Sequence, residues 1–201
     1  VLTGAGTQTL LVRAVGPGLA GFGVTGTMAD PRLTVFDSAG RAMAANDNWE
    51  SEASGAAVRD AAAGAGAFAL AAGSRDAAVL VRVAAGPMTV HVVGADGGGG
   101  VVLLELYTVG ATAVRLVNLS IRAAAGIGSD TLTAGFVIRN GVLPLVVRGI
   151  GPTLAQFGVA GAAADPSLTV LNGSGATLGT NDNWDAAGTS SFMRQAAAEA
   201  G

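Results

Sequence analysis

Residues Leu10–Glu50 read LLVRAVGPGLAGFGVTGTMADPRLTVFDSAGRAMAANDNWE, and residues Leu145–Asp185 read LVVRGIGPTLAQFGVAGAAADPSLTVLNGSGATLGTNDNWD. The two stretches lie over one another without a gap at an offset of 135 residues, and about 22 of 41 positions are identical. In one fixed register that is far beyond chance, and it marks an internal duplication. The match continues more weakly, with Val58-Arg59 over Met193-Arg194 and Ala65-Gly66 over Ala200-Gly201, and upstream Val1-Leu2 falls on Phe136-Val137. The expected organisation is about one and a half units of a tandem array. Residues 1–109 form a first unit lacking its N-terminal strands, 110–114 a linker, and 115–201 a second unit lacking its C-terminal strands.

Within each unit, short runs rich in Val, Leu, Ile and Thr are bounded by Gly, Pro, Asp or Asn, the pattern of strands and turns. It predicts strands over Thr9–Val15, Arg32–Phe36, Arg41–Ala45, Ala67–Leu70, Ala77–Val83, Met88–Val93 and Val101–Tyr107, then over Leu116–Ile121, Leu132–Ile138, Leu143–Ile150, Ser167–Leu171 and Ala176–Gly179. Val90–Val93, the glycine-rich run Gly94–Gly100 and Val101–Leu106 read as a hairpin. Only Glu52–Ala63 and Ala186–Ala200 read as helical. The fold class expected is all-β with one short helix per unit, as tandem antiparallel β-sandwich or jelly-roll-like repeats.

Composition narrows the partners. Aromatic residues make up 4% of the chain and 32 residues are glycine, so cores must be built from closely packed Val, Leu, Ile and Ala. The net charge is −3 and every basic residue is arginine, which leaves no basic footprint for nucleic acid or anionic lipid. No apolar run reaches the roughly 18–20 residues that span a bilayer as a helix. With no cysteine there are no disulfides, thiolate metal sites or cysteine nucleophiles. The opening at Val1, without methionine or a signal pattern, reads as a segment of a longer processed protein.

The recurring polar residues offer few chemistries. Asn46-Asp47-Asn48-Trp49 returns as Asn181-Asp182-Asn183-Trp184, and Asp30 returns as Asp165. Oxygen-only groups in a turn suit calcium, giving one site per unit from Asp30, Asn46, Asp47 and Asn48, with Glu50, and from Asp165, Asn181, Asp182 and Asn183. The competing reading, favoured here, is a turn in which Asn and Asp bond their own backbone while the tryptophan plugs the sandwich end. Gly16-Pro17-Gly18-Leu19-Ala20-Gly21 matches a dinucleotide phosphate loop, but its copy Gly151-Pro152-Thr153-Leu154-Ala155-Gln156 loses two of the three glycines such a loop needs. Arg13 and Arg148 could grip a carboxylate ligand; pairing within the fold, with Asp30 and Asp165, is the favoured expectation. His91 is the single histidine, and no nucleophile elbow accompanies it. No catalytic residue and no cofactor are expected beyond the calcium alternative.

The strings VRAVGPGLAGFGV, ADPRLTVFDSAG, ANDNW and GVVLLELY followed by RLVNLSIRAAAGIG resemble a repeat unit of very large secreted bacterial proteins, related in type to the pre-peptidase C-terminal β-sandwich. The resemblance implies that a unit opens on the Arg115-Leu116-Val117-Asn118 strand and ends on the Glu105-Leu106-Tyr107 strand. It implies an extracellular or cell-surface module and names no activity. The expected function is structural and non-enzymatic: a stalk, sheath or filament whose partners are neighbouring repeats or copies of itself. The alternatives are a calcium- or glycan-binding adhesive module, with surface glycans as partner, and an accessory domain of a secreted hydrolase.

Overall fold

The computed structural model describes all residues except 52–53, 112, 139–143, 185–189 and 201. The chain divides into two compact units, Val1–Leu119 and Ser120–Gly201. Its secondary structure is mostly strand, paired antiparallel, with few short helices, so the all-β expectation holds.

The first unit is organised around β1 (Leu2–Val15). Its second half reads Leu10-Leu11-Val12-Arg13-Ala14-Val15, a near-continuous apolar run rather than an alternating one, which suits a strand covered on both faces. All six of these residues are buried. β4 (Ala77–Gly86) pairs with one edge of β1. β6 (Leu103–Val109) pairs with Thr9–Val15 on the other edge, and β7 (Arg115–Leu116) pairs with Leu2 and Thr3. A second sheet has the order β3-β2-β5, from β2 (Pro31–Phe36), β3 (Ala42–Asn46) and β5 (Thr89–Gly94).

Side chains alternate across β1 and so enter two different cores. Leu2, Leu10, Val12 and Ala14 meet Leu33 and Val35 of β2 and Val79, Val81 and Val83 of β4 between the two sheets. Each Val or Leu buried this way contributes about 1.5–3 kcal/mol. On the opposite face Leu11 and Ala78 pack under Trp49 and under Val58 and Ala62 of α1 (Gly55–Ala65). Val58 and Ala62 are four residues apart and share one helix face. The layers are therefore sheet, sheet and helix, with β1 in the middle.

Two strand expectations fail in this unit. Ala67–Leu70 pairs with no strand; its Phe68 carbonyl instead accepts a bond from Arg13. The predicted hairpin over Val90–Leu106 is absent because β5 and β6 belong to different sheets. The connection is diverted where Val101 bonds Gly26 and Met28, at 2.8 Å each. Gly100 permits this with a φ of 149°.

The second unit repeats the local structure of the first. β8 (Leu168–Leu171) and β9 (Thr177–Asn181) form a hairpin with the register and bulge of β2 and β3. The 3-10 turn Pro17–Phe22, closed by Gly23, recurs as Pro152–Phe157, closed by Gly158. α2 (Ser190–Ala200) stands where α1 does in the first unit; residues 186–189 of the predicted helix lie outside the described residues, as do Glu52 and Ala53. At the β2–β3 turn Asp37 accepts bonds from the Ala39 and Arg41 amides, and Asn172 accepts the same pair from Ser174 and Ala176. The Arg41 amide and guanidinium hold the Asp37 carboxyl below the usual aspartate range. That turn therefore loses its support as pH falls through the lowered value, whereas the Asn172 turn does not titrate.

Leu145–Ile150 departs from this mirroring. It matches Leu10–Val15 in sequence but forms no strand, and Leu145 is 47% exposed where Leu10 is 0%. In the first unit the stretch is held on its two edges by β4 and β6, whereas among the described residues of the second unit only β8 and β9 are strands, and they pair with each other. Leu132–Ile138 likewise forms no strand, and of Leu116–Ile121 only Leu116 lies in a strand, β7; Leu143 lies outside the described residues.

Candidate functional site

The recurring polar residues converge on one end of the first unit, and their bonds show what each does. Asn46, at the end of β3, is buried; its side-chain oxygen accepts the Ala78 amide at 3.0 Å and its amide donates to the Asn48 carbonyl at 3.0 Å. It ties β3 to β4 across the two sheets. Trp49 follows with 2% exposure, its indole N–H on the Ala71 carbonyl at 3.1 Å and its backbone N–H on the Asp76 carbonyl at 2.9 Å. The Arg59 guanidinium lies 5.2 Å from the centre of its ring. Glu50 accepts from Arg59 at 2.7 Å and from the Gly73 amide at 2.6 Å.

Of the proposed calcium residues, Asn46 and Asp30 have side chains engaged within the fold. Asp30 pairs with Arg75 at 3.2 Å rather than with Arg13. Asp47 and Asn48 are half-buried in the turn, and Asn181 repeats the bond of Asn46 by donating to the Asn183 carbonyl at 3.4 Å. Asp165, Asp182 and Asn183 are exposed in the second unit. Among the described residues, no group of three or more His, Cys, Asp or Glu side chains is placed to hold a metal ion.

Arg13 is fully buried, which demands an acceptor. The acceptors are the Phe68 carbonyl at 2.8 Å and, as an ion pair, the Glu105 carboxylate of β6 at 3.1 Å. The guanidinium also sits 4.5 Å from the centre of the Phe68 ring, which packs edge-on against Phe22. The expectation of pairing within the fold is met, with Glu105 in place of Asp30: β1 and β6 are adjacent strands with Arg13 directly opposite Glu105.

Asp76 carries no local signal in the sequence, yet it organises the loop that resembles a phosphate cradle. Its buried carboxylate accepts the amides of Gly16 and Gly18, at 2.9 and 3.1 Å, and the Ser74 hydroxyl at 2.8 Å. The paired amides that would hold a phosphate are filled by the protein's own anion. Gly16 is required here because a Cβ would run into the Met28 carbonyl; Gly151 faces Ala163 in the same way.

Tyr107, two residues beyond Glu105, donates to that carboxylate at 2.6 Å. Burial, followed by the bond and the charge of Glu105, pushes its hydroxyl up to about 12 from 10.0. Because it is the single tyrosine, absorbance at the phenolate band reports it alone. In the folded protein the titration is expected near pH 12, moving to about 10 in urea. A folded-state midpoint of about 10 contradicts the arrangement. The sign follows from proton linkage: the native state keeps a proton that the unfolded chain has lost, so this contribution is intact below pH 10 and disappears as pH rises toward 12.

His91 lies exposed on β5 with its ring 4.9 Å from that of Phe36. Asp37, Ser38 and His91 line one open cleft of about 370 Å³. They do not form a relay: the Asp37 carboxylate is taken by Arg41 at 2.7 Å, and among the described residues no hydrogen bond joins His91 to Ser38 or Asp37. No helix among the described residues is long and apolar enough to cross a membrane. Comparison of the chain with protein-family models, with curated proteins and with solved structures finds no significant match.

Proposed function

We propose that this chain is a structural, non-catalytic segment of a tandem array of antiparallel β-sandwich modules in a large secreted or cell-surface bacterial protein. Packing of module on module builds a stalk, sheath or filament. One observation carries the reading: of the polar residues kept in both copies, Arg13, Asp30 and Asn46 of the first unit are bonded to the fold's own backbone and side chains. Asn46 joins two sheets, Trp49 closes one core, and Arg13 joins two strands. Residues shared for packing and turns suit a module that is copied for length. The resemblance to repeat units of very large secreted proteins points the same way.

Negative-stain microscopy of a protein with several repeats tests the reading. Rods whose length grows with repeat number are expected, and compact particles of irregular shape would overturn it. Thermal melting addresses the calcium alternative: curves in calcium and in chelator are expected to superimpose, and a higher Tm in calcium would transfer the turn residues to a metal role.

A further inference from the structure

Arg13 spends only part of its hydrogen-bonding capacity on the fold. Nη1 donates to the Phe68 carbonyl at 2.8 Å, and Nε lies 3.1 Å from Glu105 Oε2 as an ion pair. Nη2 is buried with no hydrogen-bond partner among the described residues. A charged donor taken out of water and left without an acceptor is costly, so the arrangement calls for one. The whole side chain is buried, and bulk solvent does not supply it.

Arg13 shares a face of β1 with Leu11, the face covered by α1. On that side it lines a cavity of about 120 Å³ whose apolar walls include Trp49, Val58, Ala62 and Leu70. Arg13 and Arg59 are its charged lining, and no acidic side chain among the described residues lines it. Glu105 and Glu50 balance the two arginines from outside the lining, and the Arg59 side chain remains 58% exposed. The chamber therefore combines apolar walls, two guanidinium groups and one unused buried donor. Its set of residues is also copied: Arg13, Trp49, Arg59 and Ala63 recur as Arg148, Trp184, Arg194 and Ala198.

We propose that this cavity binds a short-chain carboxylate, with an oxygen accepting from Arg13 Nη2 and the tail against Trp49 and the Val58–Ala62 face of α1. Size follows from volume. A cavity of roughly 150 Å³ holds benzene, so one of this size holds about five non-hydrogen atoms, as many as propionate has. Charge follows from the lining, because a hydrogen bond between two ionised groups is about twice as strong as a neutral one. Binding here adds a ligand to the first unit and neither requires nor excludes a stalk of repeats.

Trp49 forms part of the cavity wall, so its fluorescence in a Trp184→Phe chain reports occupancy. Titration with sodium propionate, at ionic strength held constant with sodium chloride, is expected to saturate with a Kd on the order of 1 mM, in keeping with so few atoms. Propionamide, of the same shape but uncharged, should bind about tenfold more weakly. Ala63→Leu fills the cavity from an exposed position of α1 where leucine is a good helix former, so the chain should fold and lose the saturation. The double change Arg13→Met with Glu105→Leu, which keeps an apolar pair of similar volume, should lose it as well. Absence of saturation by about 100 mM, far above the expected Kd, is the result of a cavity that holds water only, and it would overturn the proposal. Equal binding of propionamide would do the same, as would undiminished propionate binding in either variant.

Discussion

Replacing Arg13 by alanine is expected to destabilise the first unit by about 3–5 kcal/mol, the usual cost of removing one member of a buried ion pair. Three losses combine. Glu105, whose side chain is 14% exposed, would lose its ion-pair partner. The Phe68 carbonyl would lose its donor, and the space under the Phe68 ring would empty. The double change Arg13→Met with Glu105→Leu is expected to recover most of the loss, because an apolar pair of similar volume removes both desolvation costs. Urea unfolding followed by Trp49 fluorescence, in a Trp184→Phe background, measures both. A single-variant effect below about 1 kcal/mol would place the pair in the class of exposed ion pairs and contradict the burial described here.

Trp49→Ala is the second large effect, expected at about 3–5 kcal/mol, the range for emptying a buried aromatic site. Trp49 fills the space between Leu11, Ala78 and the Val58–Ala62 face of α1, and its indole N–H leaves the Ala71 carbonyl unpaired when removed. Trp184→Ala is expected to change stability by no more than about 0.5 kcal/mol, as for surface positions. Both tryptophans sit in the same Asn-Asp-Asn-Trp string, and each has an arginine over its ring, at 5.2 and 4.7 Å. They differ in cover, since Trp184 is 54% exposed. Equal costs would mean that the string, rather than the surrounding core, determines the contribution.

That contrast explains which parts of the fold could be read from sequence. The hairpin β2–β3 and its copy were legible because alternation in Leu33-Thr34-Val35 and the turn residues after Phe36 act locally. The 3-10 turn and helix α1 are local as well. The failures are all non-local. Val90–Val93 and Val101–Leu106 resemble a hairpin until one knows that β5 bonds β2 and β6 bonds β1. Ala67–Leu70 looks like a strand because its apolar residues serve Arg13 and the helix-covered core instead. Asp30 was the nearest plausible acceptor for Arg13 in sequence, but strand order gave it Glu105. Asp76 had no motif around it and was missed, although it holds the glycine turn together; its one trace in the sequence is a lone acid directly before the apolar run Ala77–Val83.

The same reasoning separates the two copies of the β1 sequence. Leu10–Val15 is a buried central strand and Leu145–Ile150 is not, although residues such as Leu10, Val12 and Arg13 recur unchanged as Leu145, Val147 and Arg148. Strand formation here depends on neighbours arriving from later in the chain. Amide hydrogen exchange, read at both stretches, tests this most directly. In the chain as it stands, Leu10–Val15 should be strongly protected and Leu145–Ile150 should exchange quickly. Appending a copy of Ala67–Leu119 after Gly201 should bring Leu145–Ile150 to comparable protection. Protection already equal without the addition, or still absent with it, would contradict the account.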